Sequence, residues 1–146
     1  MVIGLDIVIG AGGGGGGAAD LVRIYTGGVA VRDAVYQKGD GTADKADASA
    51  VATAEAFLGF VSAIDSPGAG QCEIRFHGDL TGFAGLTPGE TYILSTSPGQ
   101  VVGLGDTINP NYPDATPGSG HVVREVGSAG AANRLFVETG HDFEEN

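Results

Sequence analysis

The stretch "CEIRFH", residues 72 to 77, alternates apolar and polar side chains without interruption. Its apolar members are Cys72, Ile74 and Phe76, and the polar residues between them occupy the other side. Successive side chains of a strand point to opposite faces of a sheet, so this period of two predicts a half-buried β-strand.

Short β signals of the same kind recur along the chain, separated by turns rich in glycine and proline. Asp40-Gly41 is a dipeptide typical of hairpin turns, and residues 105–120, which include three prolines, predict a long exposed loop. The exception is "DASAVATAEAFL" (47–58), which predicts one short helix, capped by Asp47 or Ser49 and ending before Gly59. We therefore predict an all-β fold, either a small β-sandwich or a β-barrel, jelly-roll or β-tulip-like in form.

The composition of the chain indicates one globular domain and disfavours several classes of partner. A chain of 146 residues with 27 glycines and 6 prolines suits one turn-rich globular domain. Its 18 acidic and 7 basic residues give a formal net charge of −11, which disfavours nucleic acid as a partner. The lone Cys72 excludes an internal disulfide. Residues 2–9 are too short for a membrane span and lack the basic region of a signal peptide, so we expect a protein outside membranes.

Six consecutive glycines, Gly12 to Gly17, follow the apolar run "VIGLDIVI". The spacing G-x-G-x-x-G is satisfied formally, but a phosphate site also needs a helix after the turn, and a glycine tract opposes helix formation. A Walker loop is excluded as well, since no Gly-Lys-Ser/Thr follows. We therefore expect a mechanical role for this stretch and no nucleotide or other cofactor.

Residues 1–28 are predicted to form an extended arm, followed by a β domain over 29–140 and an acidic tail over 141–146. Alternating apolar residues at the start of the arm suit a strand added to an exposed sheet edge of its own or a neighbouring subunit. Polyglycine can lie close against another backbone. The predicted contacts to a subunit or a capsid are Ile3, Leu5, Ile7, Val8, Ile9, Gly12, Gly13, Gly14, Gly15, Gly16 and Gly17.

Candidate catalytic and metal-binding residues do not form a recognisable set. His77 and Asp79 lack a third ligand, and the spacing of Asp40, Asp44 and Asp47 is not that of a calcium loop. Ser119 lacks the G-x-S-x-G elbow, and His121 is too near in sequence to indicate a triad. Cys72 on the apolar face of its strand is typical of core packing. We predict no enzyme, no metal and no catalytic residue.

Several short segments in a fixed order resemble a β domain that recurs in virion proteins of tailed bacteriophages, among capsid decoration proteins and head or tail fibres. The resemblance covers residues 29 to 138. It rests on "DAVY" (33–36), "KADA" (45–48), "GFV" (59–61), "GDLTG" (78–82), "LTPGETY" (86–92), "SPG" (97–99) and "VGSA" (126–129). It implies a non-enzymatic structural role on the outer capsid surface of the virion, often as a trimer, with the major capsid protein as partner.

The sequence thus predicts a decoration, or cement, protein that stabilises a phage head through its arm and its subunit contacts. Two alternatives stay open. A head or tail fibre protein would bind a host glycan, with Tyr112 as the best loop aromatic for that contact. A small enzyme would need a convergent polar pocket, which the sequence does not indicate.

Overall fold

The computed structural model describes residues 19–114, 116–140 and 143–145. Within these residues the chain forms ten strands and one short helix, α1. Their bounds are β1 Ala19–Ile24, β2 Ala34–Gln37, β3 Ala43–Lys45, α1 Val51–Glu55, β4 Phe57–Ile64, β5 Gln71–Thr81, β6 Thr91–Leu94, β7 Val101–Gly103, β8 Val122–Ala131, β9 Arg134–Glu138 and β10 Phe143–Glu145.

The fold is all-β, as predicted, and takes the form of one antiparallel sheet curled into a half-barrel. The strand order is β3-β2-β4-β5-β9-β8-β6-β7, with β1 added beside β5 and β10 beside β8. Neighbouring strands are joined mainly by short turns. The predicted hairpin at Asp40-Gly41 is confirmed: it connects β2 to β3, and Gly41 has a φ of 87°.

The long strand β5 organises the sheet, and it contains the alternating stretch at residues 72–77. Cys72, Ile74 and Leu80 are buried on alternate positions, which confirms the period of two. One edge of β5 pairs with β4. The other edge pairs with β1 along its first part and with β9 along its second part. The two pairings meet at His77, which lies opposite Ala19 of β1 and Glu138 of β9.

Two hydrophobic clusters lie on opposite faces of the strands β2 and β4, and β5 contributes to one with its first half and to the other with its second half. The larger one, called here the large core, contains fifteen buried residues, among them Phe60, Leu94 and Leu135. The second, the small core, contains six: Val29, Val35, Ala43, Val61, Cys72 and Ile74. Adjacent residues such as Phe60 and Val61 therefore enter different cores, because alternate side chains of a strand face opposite ways.

Both clusters are enclosed by backbone contacts at the ends of the sheet. Around the small core the strands follow in the order β1-β5-β4-β2-β3. A bridge between Tyr25, the residue after β1, and Ala43 of β3 connects the two ends of this order. Beside the large core, the turn before β7 reaches the opposite end of the sheet. There Ala34 N donates to Gly99 O over 3.0 Å, and Gly99 N donates to Ala46 O over 2.8 Å.

The predicted helix exists, but the prediction of its cap is wrong. The cap position is Ala50, which has no side-chain hydrogen bond to the helix. Asp47 instead accepts hydrogen bonds from the backbone N–H and the hydroxyl of Ser49, in the turn before the helix. The helix ends at Glu55, because the apolar residues that follow enter β4 and pack in the two cores.

The predicted arm and tail each contain a strand of the sheet. Within residues 1–28, β1 pairs along β5, and within residues 141–146, β10 pairs with Val122–Arg124 of β8. The boundaries at 28 and 140 stay predictions. The predicted loop over residues 105–120 joins β7 to β8 without a strand or helix among its described residues.

Candidate functional site

A cleft of about 540 Å³ opens at the large-core face, between the loop before β2, the loop between β5 and β6, and the region around β7. It is lined by residues 31–33, 82–87 and 99–103, together with Phe60, Glu90, Tyr92, Asp106 and Asn109. This feature is called the cleft below. Its volume falls within the range of ligand sites in proteins.

The inner wall of the cleft is apolar and continuous with the large core. Phe60 is fully buried, and the half-buried Phe83 packs against it edge to face, with ring centroids 5.5 Å apart. The loop that includes Phe83 and Leu86 is held by the turn before β9, since the two amides donate to Asn133 O and Ala132 O over 3.2 and 3.0 Å. This wall is therefore formed before any ligand binds.

Two carboxylates, Glu90 and Asp106, lie on the polar side of the cleft. The amide of Gly105 donates to Glu90 Oε2 over 3.3 Å, and Asn109 Nδ2 donates to Asp106 Oδ2 over 3.1 Å. Both hydrogen bonds come from neutral amides. The negative charge of each group is therefore oriented by these contacts without being neutralised.

The basic side chain in the lining, Arg32, is directed toward the protein backbone. Its Nε donates to Thr81 O, and its Nη1 donates to Val61 O and Ser62 O over 3.2 and 3.0 Å. Burial, and after it the charge of Arg75, lowers the pKa of the Arg32 guanidinium. This arginine ties the loop before β2 to β4 and β5.

Exposed aliphatic side chains border the cleft. Among the described residues, the large apolar side chains that remain exposed are Ile24, Val31, Leu104 and Ile108. Of these, Val31 lines the cleft, and Leu104 and Ile108 are next in sequence to the lining residues Gly103 and Asn109. Ile108 is 92% exposed, and with Leu104 and Val31 it adds apolar surface at the border of the cleft.

The second candidate region is the attachment of β1, through which the N-terminal segment joins the domain. Asp20 is buried beside the start of β1, where Arg75 Nε donates to its carboxylate and Ser62 Oγ donates to Oδ2 over 3.1 Å. Past the other end of β1, Tyr25 donates to Asp65 Oδ1 over 2.8 Å. Hydrogen bonds from the Gly70 amide and from Tyr25 hold the pKa of Asp65 below its usual value.

The residues considered for metal binding have structural roles. His77 is exposed and packs edge to face against Phe136 at 5.3 Å. Asp40 accepts from the amide and the hydroxyl of Thr42, and these bonds lower the pKa of its carboxyl. No group of three or more His, Cys, Asp or Glu side chains suited to a metal ion occurs in the described part of the chain.

The nucleophile candidates and the loop aromatic are also part of local structure. Ser119 Oγ donates to Asp114 O over 2.9 Å, and the Asp114 amide donates to His121 Nδ1 over 2.8 Å, so both side chains shape the β7–β8 loop. Tyr112 donates to Leu104 O over 2.8 Å. Cys72 is fully buried, and burial raises the pKa of its thiol to about 11, which makes it unreactive.

The predicted contacts from Ile3 to Gly17 lie outside the described residues. No sequence motif marks the cleft, because its lining residues come from four separate parts of the chain.

Comparison with known proteins adds no family or relative. No family model matches the chain, and no curated protein or solved structure matches it. Among the described residues, no helix has the length and apolar character needed to cross a membrane.

Proposed function

We propose that the protein is a non-enzymatic decoration protein of a tailed-phage virion, which binds the outer surface of the head and stabilises it. Its partner is the major capsid protein, and the contact is made by residues 1–18. The resemblance over residues 29–138 motivates the proposal. Most of the segments that carry it form strands and turns of one sheet, including "GFV" in β4 and "VGSA" in β8.

The observation that carries the proposal is the way β1 joins the N-terminal segment to the domain. From Ala19 to Ile24, β1 pairs antiparallel with β5, in the middle of the sheet. A pull along β1 from the N-terminal side loads these pairs together in shear instead of opening them one at a time. The buried contact of Asp20 with Arg75 strengthens the same junction. Such a junction suits an arm that holds a domain on a surface.

The charge of the chain is consistent with an exterior position. A net charge of −11 repels packaged DNA and gives no attraction to a nucleic-acid backbone. The four alternating aliphatic residues Ile3, Leu5, Ile7 and Ile9 contribute about 6 to 12 kcal/mol when buried against a partner, before entropy costs. We further propose a homotrimer on the capsid, because repeated contacts convert weak binding into high avidity.

The test is the binding of three forms of the protein to particles that lack it. The full chain should bind. A form without residues 1–18 and the variant I3S/L5S/I7S/I9S should remain folded by circular dichroism and lose binding. The substitution Asp6→Asn, on the other side of the same alternating pattern, is the matched control and should bind normally. Full-strength binding by the truncated form would show that the arm is not the anchor.

A second measurement separates cementing from host attachment. A ligand that binds only the assembled shell stabilises it by about 2.7 kcal/mol per site at a hundredfold excess over its dissociation constant. Particles without the protein should therefore release DNA at a lower temperature and adsorb to cells at the normal rate. The fibre alternative predicts the reverse. Tyr112 gives that alternative little support, since its hydroxyl is hydrogen bonded within its own loop.

A further inference from the structure

The cleft has the properties of a formed binding site that the proposed arm contact does not use. Its floor is fixed by the core ring of Phe60, and its loops are fixed by backbone hydrogen bonds to the turn before β9. On the β7 side, Leu104 N donates to Thr91 O of β6 over 2.9 Å, which extends the pairing of β6 and β7 by one residue and fixes the backbone of Leu104. A ligand therefore binds without first ordering these walls, which lowers the entropic cost of binding.

Charge is the first property that selects the occupant. Glu90 and Asp106 contact neutral amides, and within the described residues no ion pair joins either of them to a lysine or arginine. Arg32 donates to backbone carbonyls, and the carboxylate of Asp33 lies 3.8 Å from Lys45 Nζ. The cleft lining thus carries the two carboxylates of Glu90 and Asp106 against the one guanidinium of Arg32, whose N–H groups are directed to backbone carbonyls, so its net charge attracts a cation.

The apolar border is the second property. Val31 and Leu104 are 53% and 40% exposed, and Ile108 is almost fully exposed. Aliphatic side chains of a partner would remove these surfaces from water. A sugar ring would instead need an exposed aromatic face, but Phe83 is half-buried against Phe60, and Tyr92 is buried with its hydroxyl bonded to the Thr87 amide. The border therefore favours a peptide over a glycan.

We propose that the cleft binds an extended segment of a partner protein, in which a lysine or arginine is flanked by aliphatic side chains. The cation contacts Glu90 and Asp106, and the aliphatic side chains cover Val31, Leu104 and Ile108. Residues 1–18 contain no lysine or arginine, so another chain supplies this segment. The site is independent of the arm, and removal of the arm leaves it intact.

The test begins with selection of a displayed random heptapeptide library on the immobilised full chain. Enriched sequences should contain a lysine or arginine next to Ile, Leu or Val. The synthetic peptide IKLKV is then titrated by amide NMR, with the acidic peptide IELEV and maltotetraose as comparison ligands. We expect IKLKV to shift the amides of Leu104, Asp106 and Asn109, and to bind more weakly as salt is raised.

Two double variants locate the binding. E90Q/D106N removes both charges of the cleft while keeping an oxygen that accepts the Gly105 and Asn109 bonds, and it should weaken IKLKV binding at least tenfold. E55Q/E125Q removes the same total charge at residues that do not line the cleft, and its affinity should stay within twofold. The form without residues 1–18 should bind the peptide like the full chain, whatever it does on particles.

Three results overturn the proposal. The first is a selected consensus without a cation, or no selection at all. The second is equal binding of IKLKV to E90Q/D106N and to the unmodified chain. The third is a stronger response of the cleft amides to IELEV or to maltotetraose than to IKLKV, which would assign the cleft to an acidic segment or to a glycan.

Discussion

The large core and the small core share strands β2, β4 and β5 but are stabilised differently. The large core has fifteen buried residues and includes the edge-to-face pair of Phe57 and Phe60, with ring centroids 5.6 Å apart. The small core has six buried residues, none of them aromatic. Polar contacts attach the adjacent segment instead: Asp20 of β1 pairs with Arg75, at a position that alternates with Cys72 and Ile74, and Tyr25 donates to Asp65.

This difference separates what holds the fold together from what holds the N-terminal segment to it. Apolar burial in the large core supplies most of the free energy of folding, since it scales with the area removed from water. The small core buries less, so its strand β1 depends on directed polar contacts. Four changes, described from the largest expected effect to the smallest, test this division.

The largest effect is expected from truncation in the large core. Phe60→Ala removes a fully buried ring that contacts Phe57 and Phe83, and should lower the free energy of unfolding by about 3 to 5 kcal/mol. The melting temperature should fall by roughly 10 °C for a chain of this length. Urea denaturation followed by circular dichroism measures the change.

The neighbouring residue provides the matched control, because Val61 is equally buried but enters the small core. Val61→Ala should cost about 2 kcal/mol, because a smaller side chain is truncated. Equal losses for the two variants would contradict the expectation that the large core, through its buried aromatic ring, contributes more free energy of folding at this point of β4 than the small core.

The next effect comes from Gly59, at the irregular pairing of β2 and β4, which joins both cores. Its φ is 148°, and a Cβ there would lie 2.2 Å from Arg75 O on β5. Gly59→Ala should therefore lower the free energy of unfolding by about 2 to 3 kcal/mol, and probes placed in either core should report the same loss. Gly39→Ala, in the open hairpin, is the control and should change stability by less than about 0.5 kcal/mol. A selective effect on one core would contradict this expectation.

A smaller and local effect is expected from Asp20→Asn. The change removes the charge that Arg75 contacts in a largely buried position, at a cost of about 1 to 3 kcal/mol. Hydrogen exchange should accelerate for the amides of β1 and stay unchanged for those of β9. Asp79→Asn is the control, because its pair with Arg134 is exposed and 3.9 Å long, and it should have almost no effect. Uniform acceleration in β1 and β9 would mean that the junction is not a separate unit.

The sequence predicted the parts of the fold that depend on local patterns. The alternation around Ile74 and the turn at Asp40-Gly41 are confirmed, because side-chain period and turn geometry are encoded by neighbouring residues. The prediction of the helix cap is wrong, because Asp47 accepts hydrogen bonds from Ser49 in the preceding turn and Ala50 occupies the cap position. A helix N-cap and a turn of this kind both favour Asp and Ser, so residue type alone does not distinguish them.

Two features depend on contacts between distant residues and could not be predicted. Strand β1 follows a glycine tract, and its pairing with β5 is specified by Asp20 meeting Arg75, which are 55 positions apart. The cleft requires Glu90 and Asp106 to lie on the same side as the loop that includes Phe83. The curl of the sheet brings these residues together, and no local pattern records it.

The smallest effect concerns Cys72, which reports on the small core through its thiol. Burial raises the pKa of this thiol from 9.0 to about 11. Between pH 9 and pH 11 the thiol is therefore protonated in the folded state and ionised in the unfolded state, so stability falls as the pH rises. The stabilising contribution is fully present below pH 9 and decreases as the pH rises toward 11. The urea midpoint should thus fall less between pH 8 and pH 10.5 in Cys72→Ala than in the unmodified chain. An identical fall in both would contradict the assignment.

The same thiol tests whether the small core opens separately from the large one. At pH 8 a fully buried, protonated thiol should react with iodoacetamide only when β1 moves away from β5. Asp20→Asn should raise the labelling rate about tenfold for each 1.4 kcal/mol of weakened attachment, whereas Asp79→Asn should not change it. If labelling instead follows global unfolding in every variant, the two cores open together and β1 is no weaker than the rest of the sheet.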